Sequence, residues 1–260
     1  MKTLRLGLLR GVLEIKQYLR QTASVIFTLL FPVILLFIFG SVFQKTIAPG
    51  VSFSQYFVAG MVASGLVNTG FQQLAINIPA ERETGALRRL RGTPMPPVAF
   101  FIGKSILVFT AMLIQVFMLL LFGSLFFHLH LPHESALWLR FAWLVVLGSA
   151  SSTVLGIAMA GVVKNARSAP AVVSPLVIIL QFFSGVFFVF TDVPKWMQQF
   201  AALFPLKWLT QGMRSVFLPS DFASQEVAHH WEIGKIAIIL IAWTIAGTVL
   251  AIRSFKWSRQ

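Results

Sequence analysis

The sequence predicts an all-α, polytopic membrane protein, built as a single domain over residues 1–260. Three observations lead there. Hydrophobic residues make up 57% of the chain and charged residues only 11%, where a soluble domain carries roughly 25% charge. Lipid must therefore cover much of the exterior. The apolar residues also come in uninterrupted runs of about 20, the length that crosses a hydrocarbon core about 30 Å thick. Finally, the net charge of +13 gathers at the ends of those runs. That is topology-setting charge rather than a nucleic-acid footprint, so no nucleic-acid partner is expected. The absence of cysteine excludes a disulfide framework and any Cys-based metal or redox site.

Residues 4–20 interleave Leu4, Leu8, Val12, Ile15 and Leu19 with Arg5, Arg10, Lys16 and Arg20. This spacing suits an amphipathic helix lying in the membrane interface. Six spans are expected at 23–43, 56–78, 98–127, 141–163, 168–190 and 236–252. All should be helices, because lipid gives the backbone no hydrogen-bond partner. The first run is too long for the apolar region of a cleaved signal peptide and has no small-residue cleavage site behind it, so it reads as a mature span. Lys104 is placed at the border of the third span, just before its uncharged part. Most of the 21 basic residues fall in the first 20 residues, in the loops 79–97 and 164–167 and after the last run. The rule that positive loops stay inside then makes both termini and these loops cytoplasmic.

Two segments between spans have helical signals of their own. Over 79–91, Pro79 suits a first turn, Glu81 and Glu83 follow it, Arg88, Arg89 and Arg91 load the far end, and Gly92 stands where a helix stops. This reads as a short, charged cytoplasmic helix. Leu87 and Leu90, three apart, share one of its faces. Over 192–217, Asp192 can cap a helix with Pro194 in its first turn, and Phe204-Pro205-Leu206 breaks it before a second apolar stretch. Each piece is too short to span, so the pair reads as an outer re-entrant helical hairpin.

Polar side chains inside spans face protein or a cavity. Ser64, Asn68 and Gln72 make one i, i+4, i+8 stripe, and Gln73, Gln115 and Gln181 are further amides within runs. Asn68, Phe71, Gln72, Gln181 and Phe182 are the candidate substrate contacts; interhelical hydrogen bonding is the competing reading. No charge falls mid-span, which argues against a proton relay and suits an apolar or amphiphilic cargo. Pro32 and Pro175 sit within spans and are candidate kinks. His128, His130, His133 and Glu134, with His229 and His230, form the one constellation that could bind zinc or copper, though Leu and Pro separate its members. Trp138, Trp196, Trp208, Trp231 and Trp257 lie near span ends, as in an aromatic belt.

The stretch Ala80-Glu81-Arg82-Glu83-Thr84-Gly85-Ala86-Leu87-Arg88-Arg89-Leu90-Arg91-Gly92-Thr93-Pro94 resembles the Glu-Arg-Glu-x-Gly-x-Leu…Thr-Pro signature of type 2 ATP-binding-cassette permeases, of the bacterial multidrug and antibiotic-efflux kind. Phe204-Pro205-Leu206 followed by Arg214 is similar to that family's Pro-centred segment before its last helix. The resemblance covers nearly the whole chain. It implies a transmembrane subunit of an ATP-driven exporter in the bacterial cytoplasmic membrane. In such a subunit Glu81, Arg82, Glu83, Gly85, Leu87, Arg88 and Leu90 couple to a separate nucleotide-binding ATPase, while Pro205 and Arg214 mark an outer gate. The cargo would be drug-like, lipid or otherwise amphiphilic. A second permease chain would complete the route as a homodimer or heterodimer, with membrane lipid around both. No G-x-x-x-x-G-K-[ST] loop is present. The chain itself is therefore expected to bind no cofactor and to do no bond chemistry, with ATP and Mg on the partner. A secondary transporter or channel without an ATPase is the first rival, and a membrane enzyme built on the outer histidines the second.

Overall fold

A computed structural model describes residues 2–43, 46–93 and 95–254. Lys45, Pro94, Lys256, Trp257 and Arg259 lie outside the described residues. About 81% of the described residues are helical. The described helices are α1 (Lys2–Arg20), α2 (Thr22–Val42), α3 (Phe53–Val67), α4 (Gln73–Glu83), α5 (Ala86–Arg91), α6 (Pro97–Phe127), α7 (Ser135–Val162), α8 (Ala169–Phe183), α9 (Lys195–Ala202), α10 (Pro205–Phe217) and α11 (Ile233–Ser254). Strands β1 (Thr46–Ala48) and β2 (Val51–Ser52) pair antiparallel between α2 and α3.

Among the described residues, four helices are long and apolar enough to cross a membrane: α2, α6, α7 and α11. Their sides are largely Leu, Ile, Val and Phe, and much of that surface is exposed on the isolated chain. α6 runs for 31 residues, or about 46 Å, so it overshoots a hydrocarbon core of about 30 Å. α1 packs along this helix with Gly7, Gly11, Glu14 and Tyr18 turned inward, while Leu4, Leu8, Val12 and Leu19 stay exposed.

The centre of the bundle is α3, every residue of which is buried. It is enclosed by α2, α6, α7 and α10. A π-helical turn, Asn68–Gln72, joins α3 to α4 without leaving the helix, so one rod runs from Phe53 to Glu83. This corrects the expected helix over 79–91. Pro79 lies inside α4, and the rod continues past it because Leu74, Ala75 and Ile78 are buried against its neighbours. The break comes at Gly85, whose φ of 74° is open to glycine and strained for other residues. The six-residue α5 follows.

The fifth apolar run is also corrected. A helix was expected over 168–190, but α8 stops at Phe183 after 15 residues. The chain then unwinds through Gly185 to a 3-10 turn at Phe190–Asp192. Irregular backbone is tolerated there because protein satisfies it. The Thr210 hydroxyl donates to the Ser184 carbonyl at 2.7 Å and the Phe190 N–H donates to the Tyr56 hydroxyl at 2.9 Å. Gly60 of α3 lets this strip lie directly on the core: a Cβ there would stand 2.9 Å from the Val186 carbonyl oxygen. Gly60→Ala should therefore lower the thermal midpoint in detergent by the equivalent of about 1–3 kcal/mol. Gly234→Ala, where nothing lies within 4 Å of the added carbon, should leave it unchanged or slightly raised.

Further corrections concern the expected hairpin. Asp192 caps nothing; Pro194 is the residue ahead of α9 and no side chain bonds to that helix end. α10 begins at Pro205, as the sequence suggested, yet all of it is buried between α3, α7 and α11. Trp208 is accordingly a core residue at 3% exposure rather than part of an aromatic belt.

Candidate functional site

The amides of the rod open onto a cavity of about 590 Å³ between α2, the rod and α8. Asn68, Gln72, Gln181 and Phe182 line it. Phe71 does not; its backbone lies against Gly156 of α7. The Gln181 Nε2 donates to the Asn68 Oδ1 at 2.8 Å, and the Asn68 Nδ2 donates to the Ser64 Oγ at 3.3 Å. Gln72 reaches the Ser174 hydroxyl of α8 at 3.2 Å, and Gln73 reaches the Thr28 hydroxyl of α2 at 3.1 Å. Each such bond between helices contributes about 0.6–2 kcal/mol. The π turn explains why both Gln72 and Gln73 face the cavity: its wider winding shifts side-chain directions within one turn. Sequence periodicity favoured Gln72 and passed over Gln73, Thr28 and Asn77, which also line the cavity. The adjacent Gln72-Gln73 pair in an apolar run was the available signal.

A second cavity of about 780 Å³ lies at the Phe53 end of the rod, under the turn Phe190–Asp192, α9 and the β1–β2 hairpin. Phe43, Phe53, Phe183 and Asp192 are among its walls. Phe182 lines both cavities. Around it the rings close up: Phe182 to Phe187 at 4.9 Å between centroids, Phe39 to Phe187 at 6.0 Å, and Phe39 to Phe57 at 4.9 Å. An aromatic partition therefore separates the two spaces.

At the Glu83 end a third, polar pocket of about 240 Å³ adjoins the first cavity, sharing Tyr18, Gln73 and Asn77 with it. Its floor is an ion-pair hub. The Lys104 ammonium, 1% exposed, donates to Glu14 of α1 at 2.9 Å and to Glu81 of α4. Arg10 closes the set onto Glu14. Lys104 lies inside α6, in its early turns, and ties three helices together. Burial pushes the Glu81 carboxyl above its usual range, and the Lys104 charge opposes that shift.

The signature residues divide by contact. Arg82 donates to the Ala160 carbonyl at 3.0 Å, and Glu83 accepts the Ala166 N–H at 2.7 Å. Both therefore fasten the rod to α7 and the loop after it. Leu87 is fully buried among Ile78, Phe100 and Ile157, with Leu90 packed on the same cluster. Leu87 therefore anchors α5 to its own chain. Arg88 and Arg89 are exposed beyond Gly85.

Neither Pro205 nor Arg214 lines a cavity. Arg214, wholly buried, grips Glu226 through two bonds of 2.6 and 3.1 Å and lies 5.1 Å from the Tyr56 ring centre. Nearby, burial alone would raise the Glu232 carboxyl; bonds from Lys235 and Gln211 and the charge of Lys207 outweigh it and hold the group below its usual range. Among the described residues no three His, Asp or Glu side chains gather as metal ligands. The His229 and His230 rings instead face backbone carbonyls at 2.8 and 2.6 Å.

Comparison with known proteins gives one family. Residues 12–218 match the family described as "ABC-2 type transporter". Three relatives bear the name "Putative transport permease". YvfS of Bacillus subtilis (strain 168) is 20% identical over 75% of this chain and 79% of its own length. The ycf38 proteins of Cyanophora paradoxa and Porphyra purpurea are 29% and 24% identical, over 90% and 92% of this chain and 83% and 85% of their own lengths.

Proposed function

The chain belongs to the ABC-2 type transporter permease family, and from that premise we propose that it is the membrane-spanning subunit of an ATP-driven exporter whose ATPase is a separate polypeptide. The observation that carries this reading is the unbroken rod Phe53–Glu83. It holds the cavity amides Asn68 and Gln72 in its π turn and delivers α5 at its charged end. A push on α5 is transmitted along one helix to the cavity wall. Lys104 adds a second link, joining the same end to α1 and α6.

In this reading α5 lies in the cytoplasm against the ATPase, and Arg88 and Arg89 make the contact. The exposed apolar face of α1 lies in the inner leaflet. Residues 56–78 of the rod, with α8, complete six membrane-crossing segments with the four long helices. Both termini are then cytoplasmic, and the membrane is the bacterial cytoplasmic one. A second permease chain closes the route. Cargo, amphiphilic or drug-like, passes from the amide cavity across the aromatic partition to the cavity beneath α9. ATP and Mg act on the partner. A secondary transporter would leave the charged α5 without a role and lacks a charge in the amide cavity, which such carriers usually need.

The test is recovery of the tagged chain from its native host with an associated ATPase, followed by charge reversal. Arg88→Glu with Arg89→Glu should cut cargo-stimulated ATP hydrolysis roughly tenfold while the thermal midpoint stays put. Glu83 is a less clean probe, because its reversal also breaks the Ala166 bond. Undiminished hydrolysis in the double variant, or no ATPase in the purified complex, overturns the reading.

A further inference from the structure

Charge is distributed very unevenly over this molecule. The chain carries 21 Lys and Arg against 8 Asp and Glu. Yet among the described residues no Lys or Arg lines either cavity along the proposed route. The amide cavity has no ionised side chain at all, and the cavity beneath α9 has one, Asp192. Asp192 is exposed and has no ion-pair partner among the described residues. Two Lys adjoin lining residues in sequence: Lys195, beside Pro194, is exposed and not among the walls, and Lys45, beside Thr46, is outside the described residues.

The uncharged groups lean the same way. Gln72 and Gln181 use their Nε2 donors on Ser174 and Asn68. No protein donor among the described residues reaches the Oε1 of either, so each amide leaves that carbonyl oxygen, beside one N–H, for a guest. The remaining walls include the rings of Phe31, Phe39, Phe182 and Phe187, beside aliphatic Leu35, Ile76 and Ile178. An aromatic face carries negative quadrupolar charge and attracts cations. Amide oxygens and aromatic rings can receive positive charge, the single carboxylate attracts it, and no described Lys or Arg on the walls repels it. An anion entering either cavity would lose its hydration with no cation to replace it.

We infer that the cargo of this permease is a cationic amphiphile, a hydrophobic body bearing one delocalised or ammonium charge. The inference rests on the exporter reading for the word cargo, but the binding preference stands on the cavities alone. Its charge centre rests on the Gln72–Gln181 oxygens, slips past the ring of Phe182, and leaves by way of Asp192.

The test uses two probes of nearly the same size and opposite sign, tetraphenylphosphonium and tetraphenylborate. Binding to the purified full chain in neutral detergent is measured by equilibrium dialysis, with empty micelles subtracted. The cation should bind about tenfold more tightly than the anion. Gln181→Lys should erase or invert that preference. Asp192→Lys, at an exposed position that tolerates exchange, should weaken the cation severalfold and leave the anion unchanged or improved. Equal binding of the two probes, or tighter binding of the anion, overturns the inference. So does a cation preference that neither substitution alters, since the cation would then sit elsewhere. No ATPase is needed, so a chain that prefers the cation but recruits no ATPase would sink only the exporter reading.

Discussion

Lys104→Ala is expected to destabilise the chain by about 3–5 kcal/mol, the scale seen when one member of a buried ion pair is removed. The loss has little to do with the packing of the Lys stem. Glu14 is 4% exposed, and Glu81 is mostly covered. Without the ammonium, Glu14 keeps only Arg10, and Glu81 is left mostly covered beside it with no ion-pair partner among the described residues. The readout is the thermal midpoint in detergent, which should fall by roughly 10 °C or more. A second signature identifies the cause. The Glu81 carboxyl already stands above its usual range through burial, with the Lys104 charge opposing the shift. In the variant that opposition is gone, so the folded state holds its proton to higher pH than the unfolded chain does. Where the folded state binds more protons, stability falls as pH rises. The deficit should therefore shrink as pH is lowered toward the carboxylate range and be full at neutral pH. Neutralising the cluster together, as Lys104→Met with Glu14→Gln and Glu81→Gln, should recover most of the loss, because the one charge then left without its partner, Arg10, is 15% exposed rather than fully buried. A pH-independent deficit, or no rescue, would refute the hub as drawn.

Glu226→Ala should be comparably damaging at the opposite end, again by about 3–5 kcal/mol. Arg214 is fully buried in α10, and Glu226 supplies both of its charge-assisted bonds. The Tyr56 ring alone does not balance a buried guanidinium. Because α10 packs on α3, α7 and α11, the disturbance should spread through the bundle core. The thermal midpoint should drop and the Phe53 end of the rod should become protease-sensitive. Arg214→Met with Glu226→Leu should restore stability to within about 1–2 kcal/mol of the parent, since an apolar pair of similar volume replaces the ionic one. If the double variant is worse than Glu226→Ala, Arg214 has a task beyond holding Glu226.

Much of this architecture could be read before the structure. Runs 23–43, 98–127, 141–163 and 236–252 correspond to α2, α6, α7 and α11, because a long apolar run without charge has one outcome in lipid. Three features could not be read. α8 ends at Phe183 although the apolar run continues, since Thr210 and Tyr56, distant in sequence, satisfy the unwound backbone. The rod passes Pro79 because its flanking residues are packed on other helices; a start rule applied locally could not see that. Lys104 reads as an ordinary border charge until Glu14, 90 positions away, is placed beside it. The cavity followed the same division. Asn68, Gln72 and Gln181 were visible as amides in apolar runs, whereas Phe71 was separated from them only by the phase of the π turn.

The outward-facing wall of the amide cavity is α2, and its outer side is left open by the rest of the chain. Ile26, Phe27, Leu30, Ile34 and Ile38 are all exposed, so in a bilayer acyl chains cover most of its surface. Lipid tails are as apolar as the side chains they would replace, so moving a helix within the bilayer carries no hydrophobic penalty. What holds α2 beside the rod is its inner face, with Val33 and Leu36 buried in the core and Phe37 and Phe39 against neighbouring rings, and, among the described residues, the bond from Gln73 to Thr28. α3 is buried along its whole length, whereas α8, like α2, exposes an apolar side, including Val172, Ile178 and Ile179. The lipid-covered walls of the chamber are thus the ones with sideways freedom, α2 among them. Its displacement would open the amides to the acyl region of the leaflet rather than to water.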